Sequence, residues 1–331
     1  MVYIEAKSTD AAFHFSIEEY ITRRYPWGER VMMIWQADKC VMIGNNQIAE
    51  AEVDMGYARE NGIQVVRRSS GGGAIYTDLG TLLFTMIQPH TTGRYPLDLA
   101  KEEVAAPVVD ALIKMGVPAA LEGRNDMLVD GKKVSGLAQY VRHGRVCTHG
   151  SLLYNADLEM LARVLSVDDE KISSKALKSV RSRVANLKGY MSRDFSALEF
   201  REQLKHHLFS CRDVRELELE WHDLGEVDQI YLEKYGNPSW TLGQSPKFSL
   251  HNGKRFPGGR VEVYLDAVKG AVSSCSIRGD FLGVAPIQGL EAALEGIPFE
   301  YHAFVKALEG ITIAPYLGGI TKDELLSCIF G

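Results

Sequence analysis

From Asp10 onward the apolar residues Phe13, Ile17, Tyr20 and Ile21 recur at three- and four-residue steps, the spacing of one buried helix face, and Asp10 stands where a cap is wanted. A first helix is predicted there. Two β-rich runs follow, Val31 to Trp35 and Cys40 to Gly44, then a helical stretch from Ala51 to Asn61 that Gly62 can end by adopting a positive φ. The strand Ile63 to Arg67 runs into Ser69-Ser70-Gly71-Gly72-Gly73, and further β-like runs, Ala74 to Thr77 and Thr81 to Gln88, emerge beyond it. The glycines therefore belong to a strand-to-strand connection. Val104, Val108, Leu112 and Met115 share one face of a helix over Lys101 to Met115 that closes at Gly116. Strands at Met127 to Val129 and Lys133 to Val141 flank an Asp130-Gly131 hairpin signal, and His143-Gly144 precedes another at Val146 to Tyr154. Ser196 with Glu199 forms a capping-box pattern ahead of a helix reaching about Phe209.

Strands and helices alternate irregularly, with hairpins among them, so the expected class is α/β (α+β) around a mixed or antiparallel sheet, not a doubly wound parallel one. After Pro246 the pattern changes. Strands are expected at Val261 to Leu265 and Ala271 to Ile277, then helices around Leu290 to Leu294 and Tyr301 to Leu308, and a last one opened by Thr321 and Glu324. This places a boundary near Pro246 and divides the chain into 1–245 and a smaller 246–331. Ser166 to Asn186 is polar, basic and aperiodic, either a surface loop or one that covers a ligand.

The 331 residues are 46% hydrophobic and 24% charged, an ordinary globular balance that excludes disordered, fibrous and disulfide-stapled classes. A net charge of −6 argues against nucleic acid as the main partner, since such proteins carry basic surfaces. Five cysteines, Cys40, Cys147, Cys211, Cys275 and Cys328, show no metal-type spacing and fit a reduced compartment. The start of the chain lacks a signal-peptide pattern, and no apolar run approaches the roughly 18 residues of a membrane span. A soluble, cytoplasmic protein is expected, with no membrane partner.

Arg67-Arg68-Ser69-Ser70-Gly71-Gly72-Gly73 carries the densest chemical signal. Consecutive glycines can turn main-chain N–H groups toward one anion, and two arginines add charge-assisted donors; the residues alone leave a solvated hairpin tip equally open. No Gly-Lys-Ser/Thr and no helix follow, so this is not a Walker loop. Gly123-Arg124-Asn125-Asp126 and Lys132-Lys133-Val134-Ser135-Gly136 put a carboxylate and a lysine on adjacent strands, either an ordinary exposed turn or a seat for a magnesium-phosphate unit. His149-Gly150 opens the run Ser151-Leu152-Leu153, where a structural histidine is the commoner case.

Together these segments resemble the lipoate-protein ligases over nearly the whole chain. The resemblance rests on Arg67 to Tyr76, Gly123 to Asp126, Lys133 to Gly136, His149 to Leu153, Ser179-Val180-Arg181-Ser182-Arg183-Val184 with Asn186-Leu187, and Gly243-Gln244 with Pro246 and Phe248. It implies a mixed-sheet catalytic domain like that of biotin ligases with a C-terminal accessory domain. It further implies a monomeric enzyme that joins lipoate to ATP as lipoyl-adenylate and passes the lipoyl group to a lysine. The implied acceptors are the lipoyl domains of 2-oxoacid dehydrogenase E2 subunits and the glycine cleavage H protein.

Carried over by motif, Lys133 is the catalytic residue, reaching both phosphate and the lipoyl carboxyl oxygen. Arg68 and the backbone of Gly73, Ala74, Ile75 and Tyr76 hold ATP, and Asp126 contacts Mg²⁺. Ser70, Gly72 and His149 contact lipoate, and Arg183 sits in a covering loop. Lys175, Lys178, Arg181 and Arg183 are the basic residues expected to meet an acidic acceptor. The chain departs from the family at Thr77, Thr81 and Leu242, where histidine, asparagine and an aromatic are usual. A rival is an acyltransferase working through a Cys147 thioester; another is a silent relative that binds without turnover. A biotin ligase is disfavoured because its G-R-G-R-x-x-R loop is missing.

Overall fold

Hairpins with φ near 50° and 71° at Asp130-Gly131 and again at His143-Gly144 join three consecutive strands of the main sheet. A computed structural model describes residues 1–331 except 6, 25–27, 91–95, 123–125, 166–181, 211, 243–249, 269 and 331. Its strands are β1 (Val2–Ile4), β2 (Val31–Trp35), β3 (Cys40–Ile43), β4 (Gln64–Arg67), β5 (Ile75–Thr77), β6 (Thr81–Pro89) and β7 (Ala119–Glu122). They continue with β8 (Asp126–Val129), β9 (Lys132–Arg142), β10 (Arg145–Leu153), β11 (Arg215–Leu217), β12 (Leu250–Phe256), β13 (Gly259–Val268) and β14 (Ala271–Gly279).

The main sheet runs β11-β1-β2-β6-β10-β9-β8-β7. β1 pairs parallel with β2 and β11 and the remaining pairs are antiparallel, so the mixed α/β class expected from the alternation is the one found. A second sheet, β4-β3-β5, stands beside it. β4 is parallel and β5 antiparallel to β3, so the glycine bend between them arches across the end of β3. One core packs the helix Ala11–Arg24 onto Trp35, Leu83 and Cys147; another, on the opposite face, gathers Phe84, Leu112, Leu152 and Phe200.

β12, β13 and β14 form a third sheet, whose core of Val261, Ile277, Phe281, Phe304 and Leu325 is drawn entirely from the C-terminal part. The boundary placed near Pro246 lies outside the described residues. No helix among the described residues is long and apolar enough to cross a membrane.

Two helices differ from the sequence expectation. The stretch Ala51 to Asn61 is two short helices, Ala49–Glu52 and Met55–Glu60, because Val53 is extended and Asp54 starts afresh by accepting from the Tyr57 N–H. The helix expected from Lys101 begins at Pro96 and passes through a π turn, Lys101–Ala105, before continuing as Ala106–Lys114. Pro107, lacking an N–H, cannot complete the α ladder at that junction. β1 and β11 are three residues each, and β12 is almost wholly exposed, so none of them carries a readable alternation.

Candidate active site

The bend after β4 is fixed from within by its own arginines. Arg67 is fully buried and spends its guanidinium on carbonyls: Gly44, Asn45 and Gln47 on one side, Trp240 and Thr241 on the other. Arg68 donates to Ser70 Oγ and to the carbonyls of Met42, Gly71 and Gly73. Burial, with Arg67 alongside, pulls its pKa down to about 10, which leaves it a cation at neutral pH. The bend rides so close over β3 that a Cβ on Gly44 would lie 2.1 Å from the Gly72 carbonyl oxygen. Gly72 itself has φ 89°, a conformation open chiefly to glycine.

Beneath the bend lies a cavity of about 270 Å³ between the two sheets. Phe15, Trp35, Met42, Leu83 and Leu153 give it apolar walls, and His149 stands among them. Gly72 to Ala74 of the bend, Ile75 and Tyr76 of β5 and Lys133 also line it, as does Leu282 from the C-terminal part. That last residue belongs to a strap that reaches back onto the bend. Gly72 N–H donates to Phe281 O, Val141 N–H to Val284 O, and Gly279 N–H to Asn46 O. A Cβ at Gly71 would meet Phe281 O at 2.6 Å, so close approach of the strap requires glycine there.

His149 joins a buried polar chain. Arg68 Nε–H donates to Ser70 Oγ, so the hydroxyl proton is free to point at His149 Nε2, 2.5 Å away. That tautomer leaves Nδ1–H facing the Glu18 carboxylate at 3.1 Å. Glu18 also accepts from Thr85 Oγ1, which in turn accepts from Trp35 Nε1. The Cys147 thiol lies 3.8 Å from the same carboxylate, and Glu18, Cys147 and His149 are the kind of trio that can hold a metal. Here they satisfy one another by hydrogen bonds. Cys147 is fully buried, and burial beside Glu18 pushes its thiol pKa well up, so it is a poor nucleophile.

Lys133 is half-exposed and pairs with Asp126 across the β8–β9 hairpin at 2.8 Å. Its stem crosses Gly136, where a Cβ would sit 3.1 Å from Lys133 Cε and Nζ. The Ala185 N–H donates to Lys133 O, which places Val184 on the cavity wall and Arg183 immediately beside it. Asp126 is a single hard carboxylate next to the cation, a donor set that suits Mg²⁺ when phosphates supply further oxygens.

Of the residues singled out from the sequence, Arg68, Gly72, Gly73, Ala74, Ile75, Tyr76, Lys133 and His149 line one cavity. Ser70 stands behind His149, and Asp126 holds Lys133 from outside. Gly123 to Asn125, Lys175 to Arg181 and Gly243 to Phe248 lie outside the described residues. Glu18, Trp35 and Leu282 were not singled out. Glu18 and Trp35 read as ordinary members of a helix face and a strand, and Leu282 reaches the cavity only through long-range folding. No local signal marks them.

Residues 10–209 match the family model described as the lipoyl protein ligase A/B catalytic domain, and residues 245–329 match that of the bacterial lipoate protein ligase C-terminus. The chain is 37% identical to the lipoate-protein ligase LplJ of Bacillus subtilis, over the full length of both. In three dimensions it is similar to LipL1 of P. falciparum solved in complex with lipoate, with a TM-score of 0.79 over 94% of each chain at 21% identity, a likeness of fold. It is also similar to a lipoate-protein ligase A bound with ATP, with a TM-score of 0.63, 28% identity, and 74% of this chain and 98% of the other covered.

Proposed function

Since the chain belongs to the lipoate-protein ligases, we propose that its cavity holds the lipoyl chain while the glycine bend and Lys133 hold the triphosphate, so that lipoate is adenylated and then transferred to a protein lysine. The observation that carries this reading is the continuity of one cavity, from apolar walls at Phe15, Trp35 and Leu83 to Lys133 and Gly73 to Tyr76. Burying each methylene of an acyl chain there contributes about 0.8 kcal/mol, which fixes the carboxylate at the cationic end.

A carboxylate oxygen attacks the α-phosphorus of ATP, the bond to the β-phosphate breaks, and pyrophosphate leaves. The obstacle is the meeting of two anions. Lys133 and Arg68 supply fixed positive charge at that meeting point, in a setting where walls of low polarity strengthen it. Asp126 would hold Mg²⁺, which neutralises phosphate charge when bound. In the second step an acceptor lysine amine attacks the acyl carbon, loses a proton, and AMP departs. Gly72 and His149 contact the acyl chain in this reading, with Ser70 orienting His149 from behind, Arg183 helps cover the adenylate, and residues 1–245 form the catalytic unit with 246–331 as accessory.

The acceptors proposed are the lipoyl domains of 2-oxoacid dehydrogenase E2 subunits and the glycine cleavage H protein, each met by a monomer in the cytoplasm. The test is lipoate-dependent pyrophosphate release and isolation of lipoyl-AMP. Wild type should yield both, and Lys133→Ala should lower adenylation by about 10²- to 10³-fold, the usual scale for a lost transition-state charge contact, while remaining folded. Normal lipoyl-AMP formation by the alanine variant would remove Lys133 from the chemistry.

A further inference from the structure

Behind the glycine bend, away from the cavity, lies a second buried polar cluster with no part in the steps above. Lys234 Nζ donates to Ser69 Oγ at 3.0 Å and to Glu19 Oε2 at 2.5 Å. Tyr235 OH lies 2.6 Å from Ser69 Oγ and 2.6 Å from Glu19 Oε2. Only one arrangement of protons satisfies all four groups: lysine to serine, serine to tyrosine, tyrosine to carboxylate, with the lysine closing the ring on the same carboxylate. Lys234 also lies 4.4 Å over the ring of Trp240, whose Nε1–H donates to Arg67 O. The cluster thus grips the bend at two main-chain neighbours of Arg68.

We propose that Lys234 is a positioning residue for the nucleotide, acting through Ser69 and Trp240 on the backbone that would bind ATP; the inference rests on the function proposed above. A plain ion pair would account for less. Glu19 already takes Arg23 on its other oxygen, so its charge keeps a cation when Lys234 is removed. What Lys234 adds is the link from that carboxylate to Ser69.

The groups facing Lys234 are Glu19 and Arg23 from the first helix, Arg142 at the end of β9, Ser69 of the bend, and the rings of Tyr235 and Trp240. Burial, opposed by Glu19 and assisted by Arg142, pulls the lysine down to about 8. Neutralisation above that pH removes the charge from the grip on Ser69.

The test is Lys234→Met, which keeps the aliphatic stem against Trp240, with Tyr235→Phe as the milder break in the same ring. Lipoyl-AMP formation is measured from pH 7 to 9, lipoate binding without nucleotide by calorimetry, and folding by thermal melt. Lys234→Met should raise the KM for ATP about tenfold, the scale of one charge-assisted hydrogen bond, and leave lipoate affinity unchanged. In wild type the KM for ATP should rise above pH 8; in Lys234→Met it should be flat. If Lys234→Met does not fold, Tyr235→Phe should show the same selective, smaller rise. An unchanged KM for ATP in a folded variant, or equal losses for ATP and lipoate, overturns the inference. A wild type that forms no lipoyl-AMP removes the proposed function itself, and this inference with it.

Discussion

Glu18 shows how much of a site can rest on one side chain that does not line the cavity. It is 1% exposed, on a helix face otherwise given to the core, and it accepts from Thr85, His149 and Cys147 at once. Three donors converge on an acceptor-only group, so the carboxylate sets the tautomer of His149 and the orientation of Thr85. Glu18→Gln keeps the shape but turns an N–H₂ toward at least one of those donors. The expected cost is about 1–3 kcal/mol of stability in urea unfolding, with weaker lipoate binding, since leaving a buried donor unpaired forfeits its hydration. If both measurements match wild type, the chain from Ser70 to Glu18 does not hold the cavity wall. The sequence gives little warning of this role: Glu18 carries no motif, and its partners lie 67 to 131 positions away. Lys133 and the paired arginines were legible because turn residues and glycines surround them, although the structure shows Arg68 spending most of its donors on the bend itself.

The bend between β4 and β5 is the element on which the site depends, and its glycines differ in what they do. Gly72 supplies a positive φ, Gly71 makes room for the strap, and a Cβ at Gly73 would meet nothing within 4 Å. Gly44, outside the glycine run, is as confined as any of them, because the bend passes directly over it. Gly44→Ala must lift the bend or tilt β3. Its KM for ATP is expected to rise by at least tenfold and its thermal midpoint to fall by several degrees, as an overpacked site costing about 1–3 kcal/mol requires. A variant with wild-type ATP kinetics would show that the bend has slack. The strand–bend–strand plan is readable from sequence because glycine spacing is local chemistry. The break at Val53–Asp54 is not, since it depends on a cap whose competing helix has equally good periodicity.

At the scale of the whole molecule, the C-terminal part contributes Leu282 to the wall of a cavity otherwise lined from the N-terminal part. Its own core is separate, yet the strap from Gly279 to Val284 makes main-chain hydrogen bonds to Gly72 of the bend, to Val141 near the end of β9 and to Asn46 just after β3, and sets the Leu282 side chain on the cavity wall. The mixed anhydride of the proposed reaction would be lost to water unless the cavity excluded it, and Leu282 is the apolar side chain that the strap places on the cavity wall. Leu282→Ala removes atoms from the wall and leaves the backbone bonds of the strap in place. Adenylation should therefore continue, while lipoyl-AMP escapes or hydrolyses before an acceptor arrives. The quantity to measure is pyrophosphate released per lysine lipoylated, near one in wild type if transfer is tight and several-fold higher in Leu282→Ala. Gly71→Ala, whose Cβ would press on Phe281 O, should raise the same ratio by displacing the strap as a unit. Should both variants keep the wild-type ratio, the strap is a resting contact and water is held out by another part of the chain.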